Sequence, residues 1–533
     1  MKLKFLGADR QVTGSCHLIE VNKIKCLIDC GMQQGSDEVA GNALPFDAKS
    51  IQYVIVTHAH IDHSGRLPLL VKNGFTGKII ATGATCDLLS IMLKDSAKIQ
   101  EFESEWKKRK GKRAGNPNYD PLYDMEDAEK TVRMLAPCRY GEIVQIADGI
   151  QAEFIDAGHL LGSASVRLTC LEGGVTKTVV FSGDIGNKNQ PIIRDPQYFY
   201  AADYVLMEST YGDRLHSDIP YKNEELAKIF DETFRKGGNV VIPSFAVGRT
   251  QELLYHLREI KEKGLVKSLP DFPVYVDSPL AFEATSIYNR DMTGYVDEET
   301  IAVLNRGFKP LQFPNLNLCR TTEESIALNQ DDAPKVIISS SGMCEAGRIR
   351  HHLKHNLWRR ECAIVFVGYQ ANGTLGRMLL DGIKQVKLFG ELIAVKASIH
   401  NFAGLSAHAD KNGLLEWIGQ YKSKPQKVFV VHGEEQTCIA FTETLKGLGY
   451  KAITANFEME FDLIADAVVA EGVALDELQE KRDLLRKAAP SYVRLQRAGD
   501  QLMELIRQKR GMSNRDLEQF ADQIAAVVAH WEK

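Results

Sequence analysis

The chain has 533 residues, too many for one ordinary domain, so two or three are expected. Hydrophobic content of 44% and charged content of 25% are those of a globular protein, and the formal net charge of −5 excludes bulk attraction to nucleic acid; such a partner needs a local basic groove. No run of about 18 apolar residues occurs, the start MKLKFLGADRQ has no apolar leader core, and the ten cysteines are scattered without a CxxC pair, which together predict no membrane partner and reduced, mostly buried thiols in a cytoplasmic setting.

The first 30 residues alternate as KLKFLGA, CHLIEV and KIKCLIDCG, which predicts antiparallel strands with Gly-containing turns. The third ends at Asp29. A carboxylate there could accept an imidazole N–H and fix a ligand tautomer; it could equally be an Asx-turn residue. Next, Tyr53-Val54-Ile55-Val56-Thr57 reads as a buried strand, followed by HAHIDH, His58 to His63. RLPLLVKNG then predicts a short helix ending near Gly74. The six-residue stretch is thus expected on a tight loop at the C-terminal end of a strand, where open α/β sheets place their chemistry. Four of its side chains, His58, His60, Asp62 and His63, can bind a metal. They cannot all face one ion without strain, but a loop can aim two at each of two ions. Imidazole and carboxylate suit Zn²⁺, with Mn²⁺ or Fe²⁺ as alternatives.

Residues 77–98 read as strand then helix, and 99–135 as helical and highly charged. The basic run Lys107-Lys108-Arg109-Lys110 and Lys112-Arg113, beside Trp106, could touch a phosphate backbone; a solvated helix end is its ordinary reading. Residues 141–185 are strand-rich, with His159 in AGHLLGSAS and Asp184 in FSGDIG at strand ends among small residues. A further strand delivers Glu208 into ESTYG. From about 213, helices alternate with strands, which predicts a separate parallel-sheet domain of about 180 residues. Within it Arg249 in SFAVGRTQ and the turn Ser339-Ser340-Ser341-Gly342-Met343 are candidate phosphate-backbone contacts, because a Ser/Gly turn offers N–H groups. An ordinary strand-to-helix turn would look the same. His351, His352 and His355 follow at helical spacing and read as interface or surface residues. Near 390 strand texture returns, with His408 in LSAHAD and His432 ending VFVVH. The last 75 or so residues read as helical throughout, beginning with DLIADAVVAEG, and as a packing or homodimer contact.

Taken in order, Asp29, HAHIDH, His159 and Asp184 resemble the four motifs of the metallo-β-lactamase fold. Glu208 in ESTYG, His408 in SAHAD and His432 in VHGE resemble the three extra motifs of its β-CASP branch. The likeness covers residues 1 to about 450. It implies an αββα sandwich with an inserted α/β domain: 1–210 and 396–455 as the lactamase fold, 211–395 as the insert, and 456–533 as a helical extension. A histidine at the last motif, His432 here, is similar to the branch members that act on RNA. The SGM and VHGE signatures resemble the nuclease of the cleavage and polyadenylation factor and its prokaryotic relatives.

The resemblance further implies two Zn²⁺ per chain, one held by His58, His60 and His159 and the other by Asp62, His63 and His432. Asp184 would bridge them and Asp29 would orient ligands from behind. It implies hydrolysis of single-stranded RNA, endonucleolytic, by a hydroxide shared between the metals. Catalysis would rest on Asp62, Asp184, Glu208 and His408, with His408 as general acid polarised by Glu208, and Arg249, Ser340, Ser341 and Gly342 would touch substrate. A 5′-to-3′ exoribonuclease of RNase J type and a non-catalytic RNA-binding scaffold are the alternatives.

Overall fold

The computed structural model describes residues 1–533 except 36–41, 114–118, 217–221, 291, 369, 371–372, 403–405, 475–476, 478–494, 496–497, 500–501, 504, 507–508, 510–512 and 532–533. Residues 1–473 and 474–533 form two compact units. In the first unit an eight-stranded sheet runs, in spatial order, β23 (Ala467–Ala470), β22 (Glu460–Asp462), β1 (Lys2–Phe5), β2 (His17–Val21), β3 (Ile24–Ile28), β4 (Tyr53–Ile55), β5 (Lys78–Thr82) and β6 (Leu135–Cys138). A seven-stranded sheet runs β21 (Ala452–Thr454), β20 (Lys427–Val430), β11 (Tyr204–Met207), β10 (Val175–Phe181), β9 (Ala164–Glu172), β8 (Ile150–Asp156) and β7 (Ile143–Ala147).

Period-two alternation makes these two sheets a sandwich. In β3, Cys26 and Ile28 point into one core and Leu27 into another; in β4, Ile55 and Val54 divide the same way. The inner layer is aromatic: Phe429 packs on Phe5 at 5.2 Å and on Phe461 at 5.0 Å between ring centroids. Helices Leu67–Lys72 and Gly83–Arg113 cover the outer face of the first sheet, and helices Lys411–Gly419 and Glu435–Gly447 that of the second. The result is the expected αββα layering.

A third sheet, parallel throughout, is made by β14 (Leu316–Leu318), β13 (Val274–Asp277), β15 (Val336–Ser339), β12 (Val240–Pro243), β16 (Ala363–Phe366) and β19 (Ser398–Asn401), with a small hairpin of β17 (Gln385–Leu388) and β18 (Glu391–Ala394) beside it. All four residues of β12, β15 and β16 are buried, as a sheet covered on both faces requires.

Three expectations need correction. The segment from 460 to 470 is a hairpin, not a helix: β22 pairs with β1, and β23 with β22. Phe461 and Leu463 alternate into the sandwich core, and the Asp462 carboxylate accepts the amides of Ile464 and Ala465, which starts a turn rather than a helix. β19 continues the third sheet and β22–β23 the first. HAHIDH is not all loop: Ile61–Ser64 is a helical turn, with Gly65 donating to the Ile61 carbonyl. Finally, His352 is fully buried, between the Asp277 carboxylate at 2.7 Å and the Asn329 amide oxygen at 2.9 Å, because Asp277 is itself buried and needs partners; His351 and His355 are exposed. In the second unit the helix Asn514–Trp531 matches the expected helical tail.

Candidate metal centre and active site

Apart from His408, which lies just before helix Lys411–Gly419, the motif side chains follow strand ends of the sandwich. Asp29 follows β3 with φ +60°, His58 and His60 follow β4, Asp62 and His63 lie on the helical turn, and His159 follows β8. Asp184 follows β10, Glu208 follows β11, and His432 follows β20 with φ +52°. Parallel registers of β10 with β11 and β11 with β20 set Asp184, Glu208 and His432 along one edge. Those of β3 with β4 do the same for Asp29 and the histidine stretch. The sandwich closes these two edges on each other.

Two donor sets result. His58, His60, His159 and Asp184 converge, as do Asp62, His63 and His432. His60 Nδ1 lies 3.1 Å from His58 Nε2 and 3.2 Å from His159 Nε2. One ring nitrogen cannot donate well to two others, whereas three lone pairs aimed at one cation give this pattern. At a Zn–N distance of about 2.0–2.1 Å a tetrahedron has edges of about 3.3–3.4 Å, within a few tenths of the spacing seen. In the second set His63 Nε2 and His432 Nε2 are 3.0 Å apart, with Asp62 Oδ2 3.7 Å from the latter. Asp184 joins the sets. Its Oδ2 is 3.5 Å from His58 Nε2 and 3.6 Å from His159 Nε2; its Oδ1 is 3.2 Å from His63 Nε2 and 3.5 Å from His432 Nε2. That Oδ1 is buried and accepts no hydrogen bond, as an oxygen reserved for a cation would be. The residues present therefore fit a metal, with Asp184 facing both donor sets.

The electrostatics agree. Burial holds the His58 and His159 imidazoles well below their usual pKa and pulls His60 down to about 4, so all three are neutral ligands at neutral pH. Burial acts upward on Asp62, but hydrogen bonding to His432 and the charge of His63 outweigh it and bring it to about 2. Asp29 stands behind His63: its Oδ2 is 2.7 Å from His63 Nδ1, and it also accepts the amide of Thr57 at 2.8 Å and the Thr57 hydroxyl at 2.9 Å. This leaves Nε2 of His63 free to ligate.

Beside the metal sets stands a dyad. Glu208 is buried; its Oε1 accepts the Ile185 amide at 2.6 Å and lies 3.2 Å from His408 Nδ1. The other nitrogen, His408 Nε2, faces Asp184 Oδ2 at 3.9 Å. Burial lowers the pKa of His408, but Glu208 and Asp184 together override it and raise it to about 9. Residues 406–410 are pinned by Ala409 N–H to Ile185 O at 2.7 Å and by His216, whose Nε2 lies 2.8 Å from the His408 carbonyl oxygen.

The expected substrate contacts follow strands of the third sheet and are not among the converging donors. Gly248, at φ +81°, approaches Leu160 so closely that a Cβ there would sit 2.7 Å from Cδ1, which sets the start of helix Arg249–Glu262 against the His159 turn. Arg249 is itself 8% exposed and ion-paired with Glu252. Ser340 bonds Ser278 at 3.1 Å, Ser341 accepts the Glu345 amide, and Gly342 packs on the ring of Phe245. Both turns lie at C-terminal ends of third-sheet strands.

Sequence reading missed Thr57, Thr210, which sits 3.2 Å from His432 Nδ1, and His216. The two threonines adjoin motif residues, so a hydroxyl beside a strand-end ligand was the available signal. His216 reaches a residue 192 positions away, and nothing local marks it.

Comparison with known proteins agrees with this geometry. Residues 9–244 match the metallo-beta-lactamase superfamily, 250–379 the Beta-Casp domain and 392–455 a Zn-dependent metallo-hydrolase RNA specificity domain. The chain is 38% identical over 458 residues to Ribonuclease TTHA0252 of Thermus thermophilus, covering 86% of this chain and 99% of that protein. It is 32% identical over 461 residues to the Transcription termination factor FttA of Methanocaldococcus jannaschii, covering 84% and 69%, and 30% identical to that of Pyrococcus abyssi, covering 82% and 67%. Motif order, two-sheet architecture and sequence likeness across most of its length make this chain a member of the metallo-β-lactamase superfamily, in its β-CASP branch.

Proposed function

We propose that the protein is a two-zinc ribonuclease that cuts single-stranded RNA internally. The carrying observation is the shared carboxylate: Asp184 faces both donor sets and the Glu208–His408 dyad at once. The name of the Thermus relative, a ribonuclease, supports RNA as substrate. Five imidazoles and two carboxylates suit Zn²⁺ over Mg²⁺. When bound, such cations neutralise charge on the phosphodiester and make a water acidic enough to attack near neutrality.

The chain's own residues do the rest. Asp184 and Asp62 supply the negative charge that holds the cations close. Asp29 and Thr57 keep His63 in one tautomer. His408 carries a proton at Nε2, the nitrogen that faces Asp184, and passes it to the departing 3′ oxygen; Glu208 holds Nδ1 and keeps the ring protonated until then. A placed acid of this kind contributes about 10²–10⁴-fold in rate. The products are a 5′-phosphate and a 3′-hydroxyl. The turns at Arg249 and at Ser340-Ser341-Gly342 would border the RNA path. In this reading the insert spans 211–401, and 402–473 rejoins the lactamase fold.

No helix among the described residues is long and apolar enough to cross a membrane, which is in keeping with a cytoplasmic enzyme. Exposed Val527, Val528 and Trp531 on the last helix support a homodimer contact there. The test is cleavage of RNA labelled at either end, beside a circular control, with and without chelator. Internal cuts in the circle that stop with chelator are expected. Sparing of the circle would instead identify a 5′-to-3′ exonuclease, and no cleavage of any RNA by zinc-loaded protein would refute the enzyme and leave the scaffold reading.

A further inference from the structure

Helix Gly83–Arg113 is built inside out over its outer half. Through Ala97 it behaves normally: Leu88, Leu89, Leu93 and Ala97 enter the core, and Thr85 bonds the carbonyl of Gly162, three residues beyond His159. From Ser96 on, inward positions other than Ala97 become polar. Ser96 bonds the Tyr123 hydroxyl at 2.7 Å, Ser104 bonds the Tyr119 carbonyl, and Glu101 accepts the Met125 amide at 3.0 Å. The large apolar residues face out instead: Ile99 is 48% exposed, Phe102 71% and Trp106 51%. Their spacing, i, i+3 and i+7, places them on one stripe. Selection for stability would put the serines outside and the aromatics inside.

The stripe runs into Lys107, Lys108, Arg109, Lys110, Lys112 and Arg113, six cations in seven residues on a chain whose net charge is −5. Lys107 and Arg109 pair with Glu103 and Glu105 of their own helix, and Lys108 with Asp120, all exposed pairs that a phosphate can displace. Outward aromatics followed by a basic cluster are the two halves of a single-strand binding platform: rings for bases, cations for backbone. An apolar protein partner would account for the rings but not the cations.

We propose that the outer half of this helix is a second RNA-binding element, in which Phe102 and Trp106 stack bases and Lys107, Lys108 and Arg109 hold phosphates. It rests on the ribonuclease reading for its substrate class. At about 1.5 Å per residue, Phe102 lies roughly 28 Å along the helix from its start near the His159 turn. The element therefore serves only RNA long enough to leave the cleft.

The test uses the metal-loaded full chain and two variants, Phe102→Ser/Trp106→Ser and Lys107→Ser/Lys108→Ser/Arg109→Ser, with oligouridylates of about 8 and about 30 nucleotides. For the long RNA we expect KM to rise at least tenfold in the aromatic variant, and binding to depend less steeply on salt in the basic one. Both should keep wild-type kcat, and wild-type KM on the short RNA. Unchanged KM and salt dependence on the long RNA in both variants, with the wild type active, overturns the proposal. So does loss of self-association in the aromatic variant, which would make the stripe a contact between copies. If the wild type cleaves neither RNA, the ribonuclease reading fails; fluorescence anisotropy of the same RNAs then still decides the platform, sustaining it if long-RNA affinity drops in the variants and sinking it if not.

Discussion

Asp184 is the side chain on which the site converges, with one oxygen toward each histidine set and four imidazole nitrogens within 3.6 Å. Asp184→Ala, or His60→Ala, should remove bound zinc and abolish RNA cleavage while leaving the circular-dichroism spectrum unchanged. Full activity of either variant in chelating buffer would end the two-metal assignment. His408 behaves differently because it faces Glu208 rather than a histidine set. His408→Ala should keep its zinc, measured by atomic absorption, and lose about 10²–10⁴ in kcat; stoichiometric zinc loss would make it a ligand. The Glu208 carboxylate raises the pKa of His408, so removing it lowers that pKa. Glu208→Gln should therefore move the alkaline limb of the kcat–pH profile to lower pH, and an unmoved limb would separate Glu208 from the acid.

At the scale of elements, the site is a set of strand ends held in register, so the elements beneath it matter to function. His17 on β2 lies buried between the rings of Phe5 and Phe181, below the metal ligands. Burial, aided by the charges of His63 and His432, lowers its pKa from 6.5 to about 3. The folded state thus binds fewer protons than the unfolded chain between those values. The stability tied to neutral His17 is complete above pH 6.5 and lost as pH falls toward 3. His17→Phe should flatten that acid limb, read as the urea midpoint at pH 5 relative to pH 7.5; a variant with the wild-type slope would clear His17 of the role. Most strands were legible because alternation or an apolar run lasted four residues or more, as in Lys2–Phe5 and the run Val428-Phe429-Val430-Val431 that carries strand Lys427–Val430. The hairpin at 460–470 was not: its alternation spans only Phe461 and Leu463, too short to outweigh the helix-like spacing of the apolar residues that follow. His352 was misread for a related reason, since the carboxylate that draws it inward is 75 positions away.

For the whole molecule, the boundary at 473 predicts an outcome. A chain ending at Val473 retains both sheets of the sandwich, including the β22–β23 hairpin, and should keep zinc binding and cleavage. It should also lose dimerisation if the last helices carry that contact, which sedimentation velocity reads. Cutting instead at 455 removes Phe461 and Leu463 from the core, and large apolar side chains lost there cost about 2–5 kcal/mol each; that chain should melt well below the longer one. The sequence by itself determined which candidate His and Asp ligands stand at strand ends and in what order, because such ends are local features that survive without neighbours. Which nitrogen meets which oxygen, and that Asp184 stands between the two histidine sets, was decided only when the two sheets closed. So was the outward turn of Phe102 and Trp106: a helix has no inside until something packs against it, and long-range packing alone chose which stripe that would be.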